Sequence, residues 1–168
     1  MRKVILNLAV TLDGYIEGPH GEYDWCLTDQ DYGMSVFHER IDTILMGAQS
    51  FKMLIGFGAP YPEYKLIVAS STQDAQNFKN VTIVRNNITD YVRKMIAEPG
   101  KDIWLWGGAR LFHTLLENKL VNELMLSVHP LLLGGGLKLY PALKDRKALK
   151  LTNSIVYPSG LVQLYYDL

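Results

Sequence analysis

The residues with the clearest chemical potential form the run Trp104-Leu105-Trp106-Gly107-Gly108-Ala109-Arg110-Leu111, in which a buried strand leads through two glycines into a helix. Glycines at such a junction let a ligand approach the backbone, and the free N–H groups of the helix N-terminus favour an anion such as a pyrophosphate. Arg110 could add a charge-assisted contact. A tight turn whose glycines serve backbone geometry alone explains the run equally well, and the GxGxxG fingerprint of an ordinary dinucleotide site is absent.

Two further strand ends resemble this junction. Met46-Gly47-Ala48-Gln49-Ser50 places a glycine and a hydroxyl group between a strand and a helix, and Ser70-Ser71-Thr72 follows another strand. Ligands of open α/β sheets bind beyond the carboxyl ends of the strands, so the three junctions could line one crevice. Taken singly, each is more often a turn or a helix cap. The run Leu131-Leu132-Leu133-Gly134-Gly135-Gly136 lacks the Gly-Lys-Ser/Thr of a phosphate-binding loop and is interpreted as structural.

Acidic residues near these junctions are candidates for proton transfer to or from a heterocyclic ligand. We consider Asp13, Asp29 and Asp31 as catalytic candidates, with Glu17 also within reach. The competing interpretation is that Asp13 stabilises a turn and that Asp29 and Asp31 cap a helix. No metal site is expected, because the four histidines are scattered and form no HExxH or Cys/His pair. The single cysteine, Cys26, excludes an internal disulfide and fits a reducing compartment.

Hydrophobic periodicity predicts alternating strands and helices that could position these residues. A helix from about residue 29 would place Met34, Phe37 and Ile41 on one face, and Asn87 would cap a later helix with Asp90 three residues on. Glu123 to His129 alternates, with Leu124, Leu126 and Val128 on one side of the strand. The predicted strands are 4–10, 43–46, 65–69, 81–84, 102–106, 123–129, 151–157 and 161–168, and the other helices are 48–54, 87–99 and one through 111–116.

Bulk properties narrow the class of protein. The 168 residues are 48% hydrophobic, which is enough for one domain, 1–168, with a continuous core. The 17 basic and 17 acidic residues cancel, so nucleic acid and anionic membranes are not expected partners, whereas a small molecule is. The N-terminus is not a signal peptide, and no apolar stretch approaches the roughly 18 to 20 residues of a membrane span. We therefore expect a cytoplasmic protein.

In order and spacing, these segments resemble the dihydrofolate reductase superfamily, and within it the branch of the riboflavin-biosynthesis reductase, the RibD C-terminal domain. The resemblance covers nearly the whole chain. It implies a three-layer α/β/α fold with a mixed, mostly parallel eight-stranded sheet, which fits the antiparallel C-terminal hairpin around Pro158-Ser159-Gly160. The segments that carry it are Ala9 to Ile16, Leu45-Met46-Gly47, Ser70-Ser71, Trp106-Gly107-Gly108, Leu120 to Leu124 and Pro130 to Gly136.

The resemblance also implies a site for NADPH. Val10 to Ile16 would lie over nicotinamide and substrate, Ser70 and Ser71 would face the adenosine 2'-phosphate, and the Gly107–Gly108 peptide would be cis. The pyrophosphate would lie near two groups of residues, Gly47, Gln49 and Ser50, and Gly107, Gly108, Ala109, Arg110 and Leu111. The family pattern has an arginine where this chain has Ala48, so NADH is possible as well.

The implied activity is hydride transfer from NAD(P)H to a small pterin-like, pyrimidine-like or other conjugated substrate. Dihydrofolate and the riboflavin intermediate are doubtful substrates, because the pterin-binding acid is not matched and the zinc signature of the usual deaminase partner domain is missing. Two alternatives remain, a ligand-binding or regulatory protein without turnover and a purely structural dimer module. A homodimer through the C-terminal strands and Leu131 to Leu133 is compatible with all three.

Overall fold

A twisted sheet runs through the centre of the molecule in the computed structural model, which describes residues 1–58, 61–74, 78–141 and 143–168. The described residues form ten strands and four helices. The strands are β1 Val4–Thr11, β2 Tyr15–Glu17, β3 Ile41–Gly47, β4 Lys65–Ala69, β5 Val81–Val84, β6 Asp102–Gly107, β7 Glu123–His129, β8 Leu137–Lys138, β9 Lys150–Val156 and β10 Val162–Asp167. The helices are α1 Met34–Arg40, α2 Ala48–Gly56, α3 Ile88–Ala97 and α4 Ala109–Glu117.

Eight strands form the main sheet in the order β5-β4-β3-β6-β1-β7-β10-β9. The six from β5 to β7 are parallel, and β10 pairs antiparallel with both β7 and β9. The prediction of a mostly parallel sheet with an antiparallel C-terminal hairpin is therefore confirmed. The β-branched and leucine-rich sequence of β1 explains its central place, because a strand covered on both faces must be apolar throughout.

Two hydrophobic cores cover the two faces of the sheet and complete three layers. On one face α3 and α4 pack through Val92, Phe112 and Leu115. On the other, α1 and α2 pack through Phe37, Phe51 and Leu54. Successive residues of β1 alternate between these cores, as the period of two in a strand requires.

Two local predictions about the helices are wrong. Ile41 belongs to β3 and not to the preceding helix, because its backbone is extended (φ −112°, ψ 158°) and it pairs with Asp102 of β6. Asn87 stands at the N-terminal boundary of α3, but its side chain donates to the Asp90 carboxylate over 2.7 Å instead of capping a backbone N–H. In both cases tertiary pairing or a local side-chain partner outweighs the sequence pattern.

The triple glycine has the structural role predicted for it. It leads into β8, which pairs with β2 in a small two-stranded sheet that the sequence pattern did not reveal. Gly136 has φ +123°, and a β-carbon there would overlap the carbonyl oxygen of Glu17. Only glycine allows this close approach of the two segments. Within the described part of the chain, no helix is long and apolar enough to cross a membrane.

Candidate functional site

The carboxyl ends of the parallel strands meet at one edge of the sheet, and this edge carries the candidate site. Here β3 ends at Gly47, β6 at Gly107 and β7 at His129. The ladder between β1 and β6 stops at the pair Leu6 and Leu105, so the described residues of the two strands are not paired beyond that point. Helices follow β3 and β6 directly, which is the arrangement in which open α/β sheets bind ligands.

Two helix N-termini lie side by side at this edge. A β-carbon built on Gly47 would lie 3.7 Å from the Gly108 nitrogen, and one on Gly107 would lie 3.3 Å from the Ser50 hydroxyl oxygen. The helices α2 and α4 begin here, and no side chain of the described residues caps their first N–H groups. The pair of unsatisfied N-termini is suited to the negative charge of a pyrophosphate.

The Gly107–Gly108 peptide is cis, as the family resemblance implies. Gly107 also has φ +141°, a value that L side chains rarely adopt. Gly107 is therefore required by its backbone conformation, and the same geometry leaves the backbone of this junction open to a ligand.

The other residues predicted to contact the cofactor fall into an exposed group and a buried group. Gln49 and Arg110 are exposed at the first turns of α2 and α4, where their side chains are free to reach a ligand. Ala109 and Leu111 are buried in the core and could contribute only backbone groups. Val10 is buried in β1, and Ile16 is partly buried against the core that Val10 helps to form.

The Ser70-Ser71 junction is a hydrogen-bonded turn. The buried Ser70 hydroxyl oxygen accepts from the backbone N–H groups of Thr72 and Gln73 over 3.2 and 2.9 Å. Ser71 is exposed, and its carbonyl oxygen accepts from Arg85 over 3.0 Å. Arg85, which also pairs with Asp74, was missed in the sequence. The register that joins Ala69 to Val84 brings it to this edge, and an arginine directly after a buried strand is the signal that could have revealed it.

Asp13 connects two loops through hydrogen bonds. Its Oδ1 accepts from the Thr11 hydroxyl over 2.6 Å, and its carboxylate accepts from the N–H groups of Leu133 and Gly134 over 3.1 and 2.8 Å. The Thr11 hydrogen bond and these N–H groups lower the pKa of Asp13 to about 2. The carboxylate is therefore ionised near neutral pH and is unsuited to donate a proton.

Asp29 and Asp31 occupy the segment before α1. Asp31 accepts from the Ser35 N–H and hydroxyl groups over 3.0 and 2.8 Å, and these bonds lower its pKa. Asp29 accepts from the Tyr32 hydroxyl over 2.6 Å. Both are exposed. Asp31 matches the helix-capping interpretation, because it accepts a backbone N–H of the first turn of α1, whereas Asp29 contacts only the Tyr32 side chain.

Other reactive groups near the site have structural surroundings. Burial, assisted by the charge of Asp24, raises the pKa of Cys26 to about 11, so its thiol stays protonated and is a poor nucleophile. Among the described residues, no three His, Cys, Asp or Glu side chains are grouped closely enough to hold a metal ion.

Together, the sheet order, the adjoining helix N-termini and the cis double glycine define a dihydrofolate-reductase-like α/β protein. The chain belongs to the RibD C-terminal domain family, whose model matches residues 61–163. It is 43% identical to the uncharacterized protein YyaP of Bacillus subtilis (strain 168), over 98% of this chain and 94% of that protein.

Solved structures of related proteins share its fold. A putative riboflavin biosynthesis protein from Shewanella sp. PV-4 matches with a TM-score of 0.87 and 26% identity, over 99% of this chain and 98% of the other. A pyrimidine reductase-like protein from Corynebacterium diphtheriae matches with a TM-score of 0.71 over 99% and 91%. At 15% identity, this match shows a shared fold and nothing more.

Proposed function

We propose that this protein is an NADPH-dependent reductase that transfers a hydride to a small conjugated heterocycle. The observation that carries the proposal is the meeting of the N-termini of α2 and α4 at Gly47 and Gly107–Gly108. Membership of the RibD C-terminal domain family supports a dinucleotide as the anion bound there, and the name of the pyrimidine reductase-like neighbour favours a pyrimidine-like substrate. A pterin-like substrate rests on the resemblance to dihydrofolate reductases.

The chain's own residues would act mainly by positioning. The N–H groups at the two junctions would hold the pyrophosphate, with Ser50 and Arg110 adding hydrogen bonds and charge. Val10 and Ile16 would form an apolar wall that excludes water. When bound, the nicotinamide supplies the hydride, and the protein has to hold the substrate about 3 to 3.5 Å from it.

We assign positioning roles to the three acids proposed from the sequence. Asp13 fixes the loop that follows β1, while Asp29 and Asp31 fix the segment before α1. The ionised state of Asp13 excludes it as a proton donor near neutral pH. The proton that completes the reduction therefore comes from solvent or from the substrate's own exchangeable groups in this proposal.

Arg85 supports NADPH as the preferred cofactor over NADH. Family resemblance directs the 2'-phosphate to Ser70 and Ser71, and the Arg85 guanidinium lies 3.0 Å from the Ser71 carbonyl oxygen. Ala48 stands where the family pattern has an arginine. Arg85 can replace that missing charge from the neighbouring strand end, with the exposed Asp74 giving way to the phosphate.

Titration with NADPH, followed by tryptophan fluorescence, tests the cofactor site. Gly108→Ala places a methyl group between the helix N-termini, where its nearest protein contact would be Ser50 at 3.8 Å. We expect the dissociation constant to rise about tenfold or more, because the methyl group separates the phosphate from the N–H groups. Gly56→Ala is the matched control, since it lies at the other end of α2, where no atom of the described residues comes within 4 Å of the added carbon.

Two outcomes would redirect the proposal. If the folded wild-type protein bound neither NADPH nor NADH, the cofactor site would be refuted. If it bound NADPH but oxidised it with no member of a pterin and pyrimidine panel, the ligand-binding alternative without turnover would be favoured.

We also propose a cytoplasmic homodimer. Its support is the edge strand β9, whose Leu151 and Val156 are 53% and 74% exposed and pair with Tyr166 and Val162 of β10. An exposed apolar edge of this kind is usually covered by another chain. Sedimentation equilibrium of the purified protein tests it, and a monomer at all concentrations would contradict it.

A further inference from the structure

The loop of residues 18–33 is attached to the site edge through a histidine. His129 ends β7, where it pairs with Thr11 of β1, and its Nε2 accepts the backbone N–H of Leu27 over 3.1 Å. Trp25 stacks edge-on against the same ring, with 5.2 Å between ring centroids. The loop segment Trp25–Leu27 is therefore held against the carboxyl ends of β1 and β7, beside the proposed nicotinamide position.

The hydrogen bonds of the ring define its protonation state. Nδ1 lies 2.9 Å from the carbonyl oxygen of Ser127, which can only accept, so Nδ1 carries the proton. Nε2 faces an N–H donor and must therefore present its lone pair. The folded arrangement requires neutral imidazole, and a proton on Nε2 would set two donors against each other.

A second attachment of the same loop does not titrate. Gln163 is buried, and its amide nitrogen donates to the Tyr32 carbonyl oxygen over 2.8 Å and to the Ser127 hydroxyl over 3.2 Å. Its amide oxygen accepts from the hydroxyls of Tyr157 and Tyr165, each over 2.9 Å. Because all four hydrogen-bonding positions are used, the Tyr32 end stays anchored when the Leu27 contact is broken.

The surroundings of His129 offer its cation little compensation. The titratable residues next to its contacts in the chain are Asp24 and Cys26, which flank Trp25, and Asp13, which is two residues from Thr11 and is already bound to Thr11, Leu133 and Gly134. Burial lowers the pKa of His129, and hydrogen bonds to the Ser127 and Val10 carbonyls oppose this only in part. The ring is buried at 3% exposure, so protonation favours states in which it reaches water.

We infer that His129 is a positioning residue that, as neutral imidazole, latches the Trp25–Leu27 segment over the site and releases it on protonation. The inference rests on the proposed reductase function for its catalytic meaning, because the segment would then form the wall beside nicotinamide and substrate. The indole Nε1 of Trp25 supports such a wall, since it is buried without a hydrogen-bond partner among the described residues and could donate to a substrate acceptor.

The direction of the pH dependence follows from this state. In the closed form the Trp25–Leu27 segment lies against His129, and in the open form it has moved away and the ring reaches water. His129 binds a proton less readily in the closed form than in the open form, where its pKa approaches the ordinary histidine value of about 6.5. The latch is therefore complete above that pH and weakens as the pH falls below it. At about one pH unit below this pKa, the open form is favoured about tenfold more than at about pH 7.5, provided that the closed form remains unprotonated.

Hydrogen–deuterium exchange at the Leu27 amide tests the latch without any cofactor. After correction for intrinsic exchange, the protection of Leu27 in the wild-type protein should fall about tenfold between about pH 7.5 and pH 5.5. His129→Gln keeps an acceptor that does not titrate and should make protection independent of pH. His129→Phe keeps a ring without an acceptor and should remove the protection at both pH values.

The Phe37 N–H, which donates to the Gly33 carbonyl oxygen in α1, is an internal reference. It lies beyond the Gln163 anchor, so its protection should not change when His129 is protonated or replaced. Constant Leu27 protection in the wild-type protein, or wild-type protection in His129→Phe, would overturn the latch. NADPH binding plays no part in this readout. A failed cofactor titration would refute the reductase proposal and leave the latch measurement intact.

If the reductase proposal holds, the latch predicts a change in the KM for the heterocyclic substrate. The wild-type KM should rise as the pH falls below about 6.5, whereas the KM of His129→Gln should not follow that titration. Loss of wall contacts affects substrate binding, so kcat should change less than KM. Identical pH profiles of KM for the two proteins would contradict the positioning role.

Discussion

The indole N–H of Trp104 donates a 2.9 Å hydrogen bond to the carbonyl oxygen of Asn7, joining β6 to β1 where their backbone ladder has ended. The indole N–H and the carbonyl oxygen are both buried, and the backbone of β6 provides no hydrogen bond to this carbonyl. The Trp104 side chain provides that bond instead. The two strands can therefore separate toward the site without leaving this buried carbonyl unsatisfied.

Trp104→Phe should lower the free energy of unfolding by about 1–3 kcal/mol, because it leaves the Asn7 carbonyl without its donor. Urea denaturation of both proteins measures the difference. Trp106→Phe is the matched control at a half-buried position of the same strand and should cost less. Equal losses in the two variants would argue against a special role for the Trp104 hydrogen bond.

Arg85→Gln should reduce the preference for NADPH over NADH by about tenfold, since it removes the cation next to the proposed 2'-phosphate position. The dissociation constants of both nucleotides give the ratio. Arg93→Gln serves as the control, because Arg93 lies on α3 and contacts Asp90 of the same helix and Asn118 at the C-terminal end of α4. If NADPH and NADH binding were weakened equally, Arg85 would not be the residue that distinguishes them.

Asp13→Asn should destabilise the protein near neutral pH, because an amide cannot accept the three hydrogen bonds that the carboxylate accepts. The folded pKa of about 2 is below the ordinary value of 3.8, so the stabilising effect is present above about pH 4 and is lost as the pH falls through about 2. Denaturation curves of wild type and variant should therefore converge on acidification.

Asp145→Asn, a change of the same kind on an exposed loop, controls for general charge effects in that experiment. If the difference in unfolding free energy between wild type and Asp13→Asn stayed constant down to about pH 2, the stabilising role of the ionised Asp13 carboxylate would be contradicted.

The sequence predicted the architecture well because continuous apolar strands and amphipathic helices leave clear periodic patterns. All six parallel strands and both strands of the hairpin were located, with boundaries differing by only a few residues. Ile41 was misplaced because its spacing from Phe37 is compatible with a helix, whereas its pairing with β6 is a long-range contact. Local patterns do not contain such pairings.

The same limit applied to the site. The double-glycine junction is local in sequence and was found, but Arg85 reaches Ser71 only through strand register. The alternation of β7 puts His129 on the side opposite Leu124, Leu126 and Val128, and the structure buries it because a loop a hundred residues earlier folds over it. Residues whose surroundings are built by distant segments are those that a single sequence describes least well.

The central position of β1 also determines how the chain must fold. Its backbone pairs Val4 with Ile103 and Ile5 with Glu123, so both neighbours of the first strand are made long after it during synthesis. High contact order of this kind slows folding and leaves an apolar strand uncovered in the nascent chain. The strand that supports the site is therefore also a segment that needs protection from aggregation before the second half of the protein has emerged.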